Sequence, residues 1–201
     1  MTDFSVLKSN LVKKGYKVSV FSTGKEAADY LDGAITGKAV GVADSQTLEQ
    51  IGIYSRLCRN NTVFTPAYTT DDEAFYQMAV KCLLTDVFLV SANGISLDGT
   101  IVNLDSSGNR IAASLYGHQK VYYVIGRNKI AESVEGAVWR VRNIAAPQNA
   151  KRLHMPTPCA VTGKCHDCNS PERICNGLLI LLHKIKNMEI EIVLVDEDLG
   201  L

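Results

Sequence analysis

Short runs with almost no polar break constrain this fold more than any other feature of the chain. Asp86–Val90, Val121–Ile125 and Glu191–Val195 are nearly all apolar or aromatic, and Ala39–Ala43 is a shorter run of the same kind. Successive side chains of a strand point to opposite faces, so a strand that is apolar throughout is buried on both. Lys17–Phe21, Thr62–Thr65 and Thr100–Leu104 add further strand-like segments. Helical patterns alternate with them. Phe4, Leu7 and Leu11 recur at helical spacing before Gly15, which predicts an N-terminal helix over residues 2–14. Further helices are expected from Thr23 to Leu31, from Asp44–Ser45 to Ile51, and from the Thr70-Asp-Asp-Glu73 capping box to Leu84. Two more are expected from Glu132 to Ala145, ended by Pro147, and from Ile174 to Lys186. This alternation predicts one α/β domain over residues 1–201, with a mostly parallel sheet and helices on both faces.

Composition narrows the function. Lys plus Arg and Asp plus Glu both number 21, so no global field draws the 201-residue chain to nucleic acid or an acidic membrane. No apolar run approaches the roughly 20 residues that cross a bilayer, and the polar start MTDFSVLKSNLVKKGY does not match a secretory leader. The expected location is cytoplasmic, where thiols stay reduced or bind metal.

In parallel sheets, ligands sit where strands end and turns lead into helices. Three such turns carry suitable chemistry. Val40–Ile53 delivers Asp44, Ser45 and Gln46 to a helix start, which suits either an anion or a simple cap. Val90–Ala112 concentrates Asn93, Asp98, Gly99, Asn103, Asp105, Asn109 and Arg110. Asn, Asp and Gly are also the residues of tight turns, but Arg110 adds a forked donor for a carboxylate or phosphate. Val124–Ile130 places Arg127, Asn128 and Lys129 after a strand and a glycine. If the three turns share one edge of the sheet, they form a single pocket. His118 and Asp105 are the candidate general bases. Tyr116, Tyr122, Tyr123 and Trp139 are either core residues or anchors for a partner protein.

Four of the six cysteines, Cys159, Cys165, Cys168 and Cys175, lie in the loop 157–177 with spacings C-x5-C, C-x2-C and C-x6-C. Three readings stand: a metal centre of zinc or an iron–sulfur cluster, a reversible Cys165–Cys168 dithiol, or small buried side chains. His154 and His166 are alternative ligands. Cys58 and Cys82 fall on expected helices and are assigned to the core.

The segments VGVADSQTLEQIGI, NGISLDGTIVNLDSSGNRIAASLYG, VIGRNKI, RVRNIAAPQNAKRL and TPCAVTGKCHDCNSPERICN, taken together, resemble the LUD-domain family of lactate-utilisation proteins. The likeness implies a Rossmann-like fold related to the sugar-phosphate isomerase and CoA-transferase group. It also implies a ligand site lined by Asn93, Asp98, Gly99, Asn103, Asp105, Asn109 and Arg110, with Asn128 and Lys129 beside it. It implies a component of lactate or related organic-acid utilisation that binds a small anionic metabolite, with a metal or iron–sulfur centre in the cysteine loop; the alternative is a sugar-phosphate or acyl-CoA binding enzyme or sensor with a purely structural cysteine loop. Oxidoreductase subunits and further copies of the chain are the implied partners. Ala92 and Ala43–Asp44 stand where the family tends to glycine and to a glycine–serine pair. A methyl and a carboxylate at those places work against a phosphate.

Overall fold

The computed structural model describes residues 2–201. The first half runs α1 (Ser5–Lys13), β1 (Lys17–Phe21), α2 (Gly24–Ala34), β2 (Ala39–Val42), α3 (Gln46–Gln50), α4 (Ile53–Leu57), β3 (Thr62–Phe64), α5 (Asp72–Cys82) and β4 (Val87–Val90). Next come β5 (Gly94–Ser96), β6 (Ile101–Asp105), α6 (Asn109–Leu115), β7 (Lys120–Gly126), β8 (Ile130–Ala131) and α7 (Val134–Arg140). The chain closes with α8 (Ala146–Arg152), α9 (Pro158–Thr162), β9 (Gly177–Leu181) and β10 (Glu189–Val195).

Six strands form a parallel sheet in the order β1-β10-β7-β4-β2-β3. The apolar runs explain its core. In β4, Val87 and Leu89 face the layer that holds Leu31 of α2, Leu48 of α3 and Leu57 of α4. Phe88 and Val90 face the opposite layer, with Leu7 and Leu11 of α1. Each face of β4 therefore buries two large side chains, at about 25 cal/mol per Å² of apolar area. Helix ends are secured locally. Thr23 and Glu26 form a reciprocal capping box at α2. At α5 the cap is Asp71, whose carboxylate accepts from the Ala74 N–H, rather than the Thr70–Glu73 pair.

A second, four-stranded sheet, β8-β5-β6-β9, adds three strands to the expected segment Thr100–Leu104, which is β6. It is mixed: β5 pairs parallel with β8, while β6 pairs antiparallel with both β5 and β9. Helix α7 packs so close that a Cβ on Gly94 would fall 3.1 Å from Val141 Cγ1 and 3.2 Å from the Ala137 carbonyl. This sheet corrects the helix expected over Ile174–Lys186. Leu178–Leu181 instead pairs with β6, Val102 opposite Ile180. A short continuous apolar run does not distinguish strand from helix, and here pairing decides.

Pro147 does not end its helix either. A π turn at Val141–Ala145 follows α7, and Pro147 sits in the first turn of α8, where its missing N–H costs nothing. Cys82 is buried as expected, whereas Cys58 is exposed at the end of α4. Among the described residues no helix is long and apolar enough to cross a membrane.

Candidate functional site

The three turns singled out in the sequence follow β2, β4 and β7, which are neighbours in the sheet. From β2 the chain steps outward to β3, then returns to place β4 on the other side of β2. Such a reversal leaves a crevice beyond the carboxyl ends of the strands. A cavity of about 200 Å³ occupies this place.

Its polar lining comes from all three turns. Lys129, beyond β7, is only 3 % exposed. Its Nζ donates to Thr47 Oγ1 of α3 at 2.8 Å and to Ser91 Oγ, just after β4, at 2.9 Å. The Thr47 hydroxyl donates in turn to the Leu199 carbonyl at 3.3 Å, and the Ser91 hydroxyl to the Val124 carbonyl at 2.7 Å. Burial, with Arg140 and Arg110 as charged neighbours, pushes the Lys129 ammonium down to about 7. Arg140 donates to the carbonyls of Asn128 (2.9 Å) and Asn93, so it staples the β7 turn to the β4 turn.

Arg110 stands at the start of α6. Its Nε donates to Asp105 Oδ1 at 2.7 Å and its second terminal nitrogen to the Leu104 carbonyl at 2.8 Å. The other Asp105 oxygen accepts the N–H groups of Arg110 (3.0 Å) and Ile111 (3.1 Å). Asp105 is thereby saturated with donors. It anchors α6 and orients the guanidinium rather than acting as a base. His118 does not serve as the base either. It stacks on buried Phe88, bonds to the Thr85 carbonyl and has no place in the cavity wall. Arg152 of α8 completes the charged lining, 3.7 Å from Asp44. Lys129, Arg110 and Arg152 face Asp44 and Asp105 in the cavity lining.

The structure thus brings Asn93, Asp105, Asn109, Arg110 and Lys129 to the cavity. It does not bring Asp98, Gly99, Asn103 or Asn128 to its wall. Asp98 and Gly99 form the tight turn between β5 and β6, next to α1. Asp98 accepts from Lys14 Nζ at 3.0 Å and from the Thr100 N–H at 3.1 Å, and Gly99, at φ +87°, lies against Leu11. Asn103 is buried behind Asn93 and holds its N–H at 2.8 Å. Asn128 accepts from the Leu199 N–H at 3.1 Å and pins residues 199–201 over Lys129. The sequence reading missed Thr47, Ser91, Arg140 and Arg152. The two arginines lie in the RVRNIAAPQNAKRL segment, where clustered cations beside an apolar stripe were the available signal.

The cysteine loop lies apart from the charged lining, touching the cavity through Ile174. Cys159, Cys165, Cys168 and Cys175 are free and half-buried. Burial, joined by Cys165 and Cys168 nearby, raises the Cys175 thiol above its ordinary value, although Arg173 pulls it back. Among the described residues no three His, Cys, Asp or Glu side chains are placed to hold one metal ion. Of the four aromatic residues considered as anchors, Tyr122 and Tyr123 are core, while Tyr116 and Trp139 are exposed.

Fold and cavity define an α/β protein with a crevice at the carboxyl edge of a parallel sheet. The LUD domain model matches residues 5–195, and the chain belongs to that family. The crystal structure of a DUF162 family protein from Deinococcus radiodurans has the same fold, with a TM-score of 0.53, 14% identity and 94% of each chain covered. No curated protein matches the chain.

Proposed function

We propose that the cavity binds a small organic acid and that the protein serves lactate or related organic-acid utilisation alongside oxidoreductase subunits. The observation that carries this reading is the convergence of Lys129, Arg110 and Arg152 on one cavity of about 200 Å³. Cationic side chains in the wall suit a carboxylate, whose two oxygens a guanidinium can meet. Asp44, in the same wall, opposes a dianionic phosphate, and the volume falls below the roughly 300 Å³ at which drug-sized pockets begin. Both points favour a compact acid over a sugar phosphate or acyl-CoA. Calorimetry and thermal shift with lactate, pyruvate, a sugar phosphate and acetyl-CoA test the reading. The expected result is stabilisation by the short acids, reduced in Arg152→Ala. Stabilisation by the phosphate esters alone overturns it.

A further inference from the structure

We propose that the Lys129 amine is a covalent nucleophile that forms an imine with the carbonyl carbon of a short oxo acid held in the cavity. This inference rests on the organic-acid reading and deepens it, because it names the reacting atom and the substrate class.

An exposed lysine at neutral pH is an ammonium without a lone pair. Lys129 is placed otherwise. Thr47 Oγ1 reaches the Leu199 carbonyl, and Ser91 Oγ reaches the Val124 and Ala92 carbonyls and Thr47 Oγ1, so each hydroxyl has an acceptor for its own proton and a lone pair for Nζ. A neutral amine has two N–H donors, and these two acceptors take both, leaving the nitrogen lone pair uncommitted. The charged side chains acting on it are the cations Arg140 and Arg110. Burial among cations disfavours the ammonium, which brings its titration to about 7 and supplies free amine near neutral pH. Lys129 lines the same cavity as Arg110 and Arg152, so a carboxylate held by a guanidinium leaves the neighbouring carbonyl within the amine's enclosure.

The step balances within these groups. The nitrogen lone pair bonds to the carbonyl carbon as the C=O π bond opens onto oxygen. Both amine protons pass to that oxygen, directly or through the Thr47 and Ser91 hydroxyls that hold them. The oxygen then leaves as water and the C=N bond remains.

The test uses the intact wild-type protein with pyruvate and sodium cyanoborohydride, followed by mass spectrometry and peptide mapping. Expected is one adduct per chain, heavier by the acid less one oxygen, on the peptide containing Lys129. Lactate, which carries a hydroxyl in place of the keto group, should slow the trapping and form no adduct. The trapping rate should rise with pH through about 7. Adducts scattered over surface lysines with Lys129 unmodified overturn the proposal. If lactate and pyruvate raise the melting temperature but Lys129 stays unlabelled, the covalent step falls and the organic-acid reading stands. If neither acid binds, both fall.

Discussion

Asn93 and the Asn103–Leu104 stretch clasp one another behind the cavity wall: Asn103 Oδ1 accepts the Asn93 backbone N–H at 2.8 Å, while Asn93 Oδ1 accepts the Leu104 N–H at 2.9 Å. The exchange fixes the turn after β4 against β6, and Arg140 fixes the same turn against β7. Asn103→Leu fills the volume and leaves the Asn93 N–H without its acceptor. An unpaired buried donor costs about 1–3 kcal/mol. The urea midpoint should fall accordingly, with an unchanged slope, and organic-acid affinity should drop with it. An affinity equal to wild type would show that the clasp is structural alone.

The Asp105–Arg110 pair should be asymmetric. The Asp105 carboxylate is 4 % exposed and satisfies two backbone N–H groups as well as the guanidinium. Asp105→Ala strands all of them and a partly buried cation, so chemical denaturation should show a loss of about 3–5 kcal/mol. Arg110→Gln leaves Asp105 both backbone donors and should cost less in stability. Its effect should fall on ligand affinity, measured by calorimetry.

The sheet was legible in the sequence because fully apolar strands admit few arrangements. The turns at Asp44, Asn93 and Lys129 were legible because parallel sheets present ligands at strand ends. Asp98 and Asn128 misled for a physical reason. Asn and Asp are chosen for turns as often as for ligands, and the Asp98-Gly99 turn, legible as a turn, lies against α1 rather than at the cavity. Lys129 was visible as a cation but not as a buried amine. Its burial depends on Leu199 and Gly200, some seventy residues onward, closing over it. The strand β9 was hidden because its partner β6 lies equally far away in sequence.

That closure makes Gly200 a sensitive position. It sits at φ +66°, and a Cβ there would collide with Thr47 Oγ1 and lie 3.1 Å from Lys129 Nζ. Gly200→Ala must both strain the backbone and displace the amine. The expected outcome is loss of acid binding with a modest fall in melting temperature. A variant that binds as wild type would mean that residues 199–201 do not shape the cavity.

The thiols should separate by burial. Cys82 is buried, and loss of solvation pushes its thiol up to about 11, so it should resist maleimide until the protein unfolds. The four loop thiols and Cys58 should label in the native state. Elemental analysis on the same sample adds the deciding number. One zinc or iron centre per chain together with protection of Cys159, Cys165, Cys168 and Cys175 would require the loop to draw its sulfurs together around the metal.

Lys129 should also leave a mark on stability against pH. Its ordinary value is 10.5 and the folded value is about 7, so the unfolded chain binds the proton more tightly. Below about pH 7 both states are protonated, and the folded protein carries the full cost of a buried ammonium. As pH rises from about 7 towards 10.5 the folded state is neutral while the unfolded state stays charged, so the cost is progressively relieved. The charged groups that act on the amine are the guanidinium side chains of Arg140 and Arg110. Asp44 and Asp105 face the same cavity without forming an ion pair to Lys129. Lys129→Met removes the titration and keeps the length of the side chain. The variant should therefore be the more stable protein at pH 6, by up to a few kcal/mol on the scale of about 1.4 kcal/mol per pKa unit. The advantage should shrink above pH 7 and reverse near pH 10, where Thr47 and Ser91 lack their donor. Denaturation midpoints of both proteins across pH 6–10 measure this difference, and a gap that stays constant with pH would mean that Lys129 titrates alike in the folded and unfolded chain.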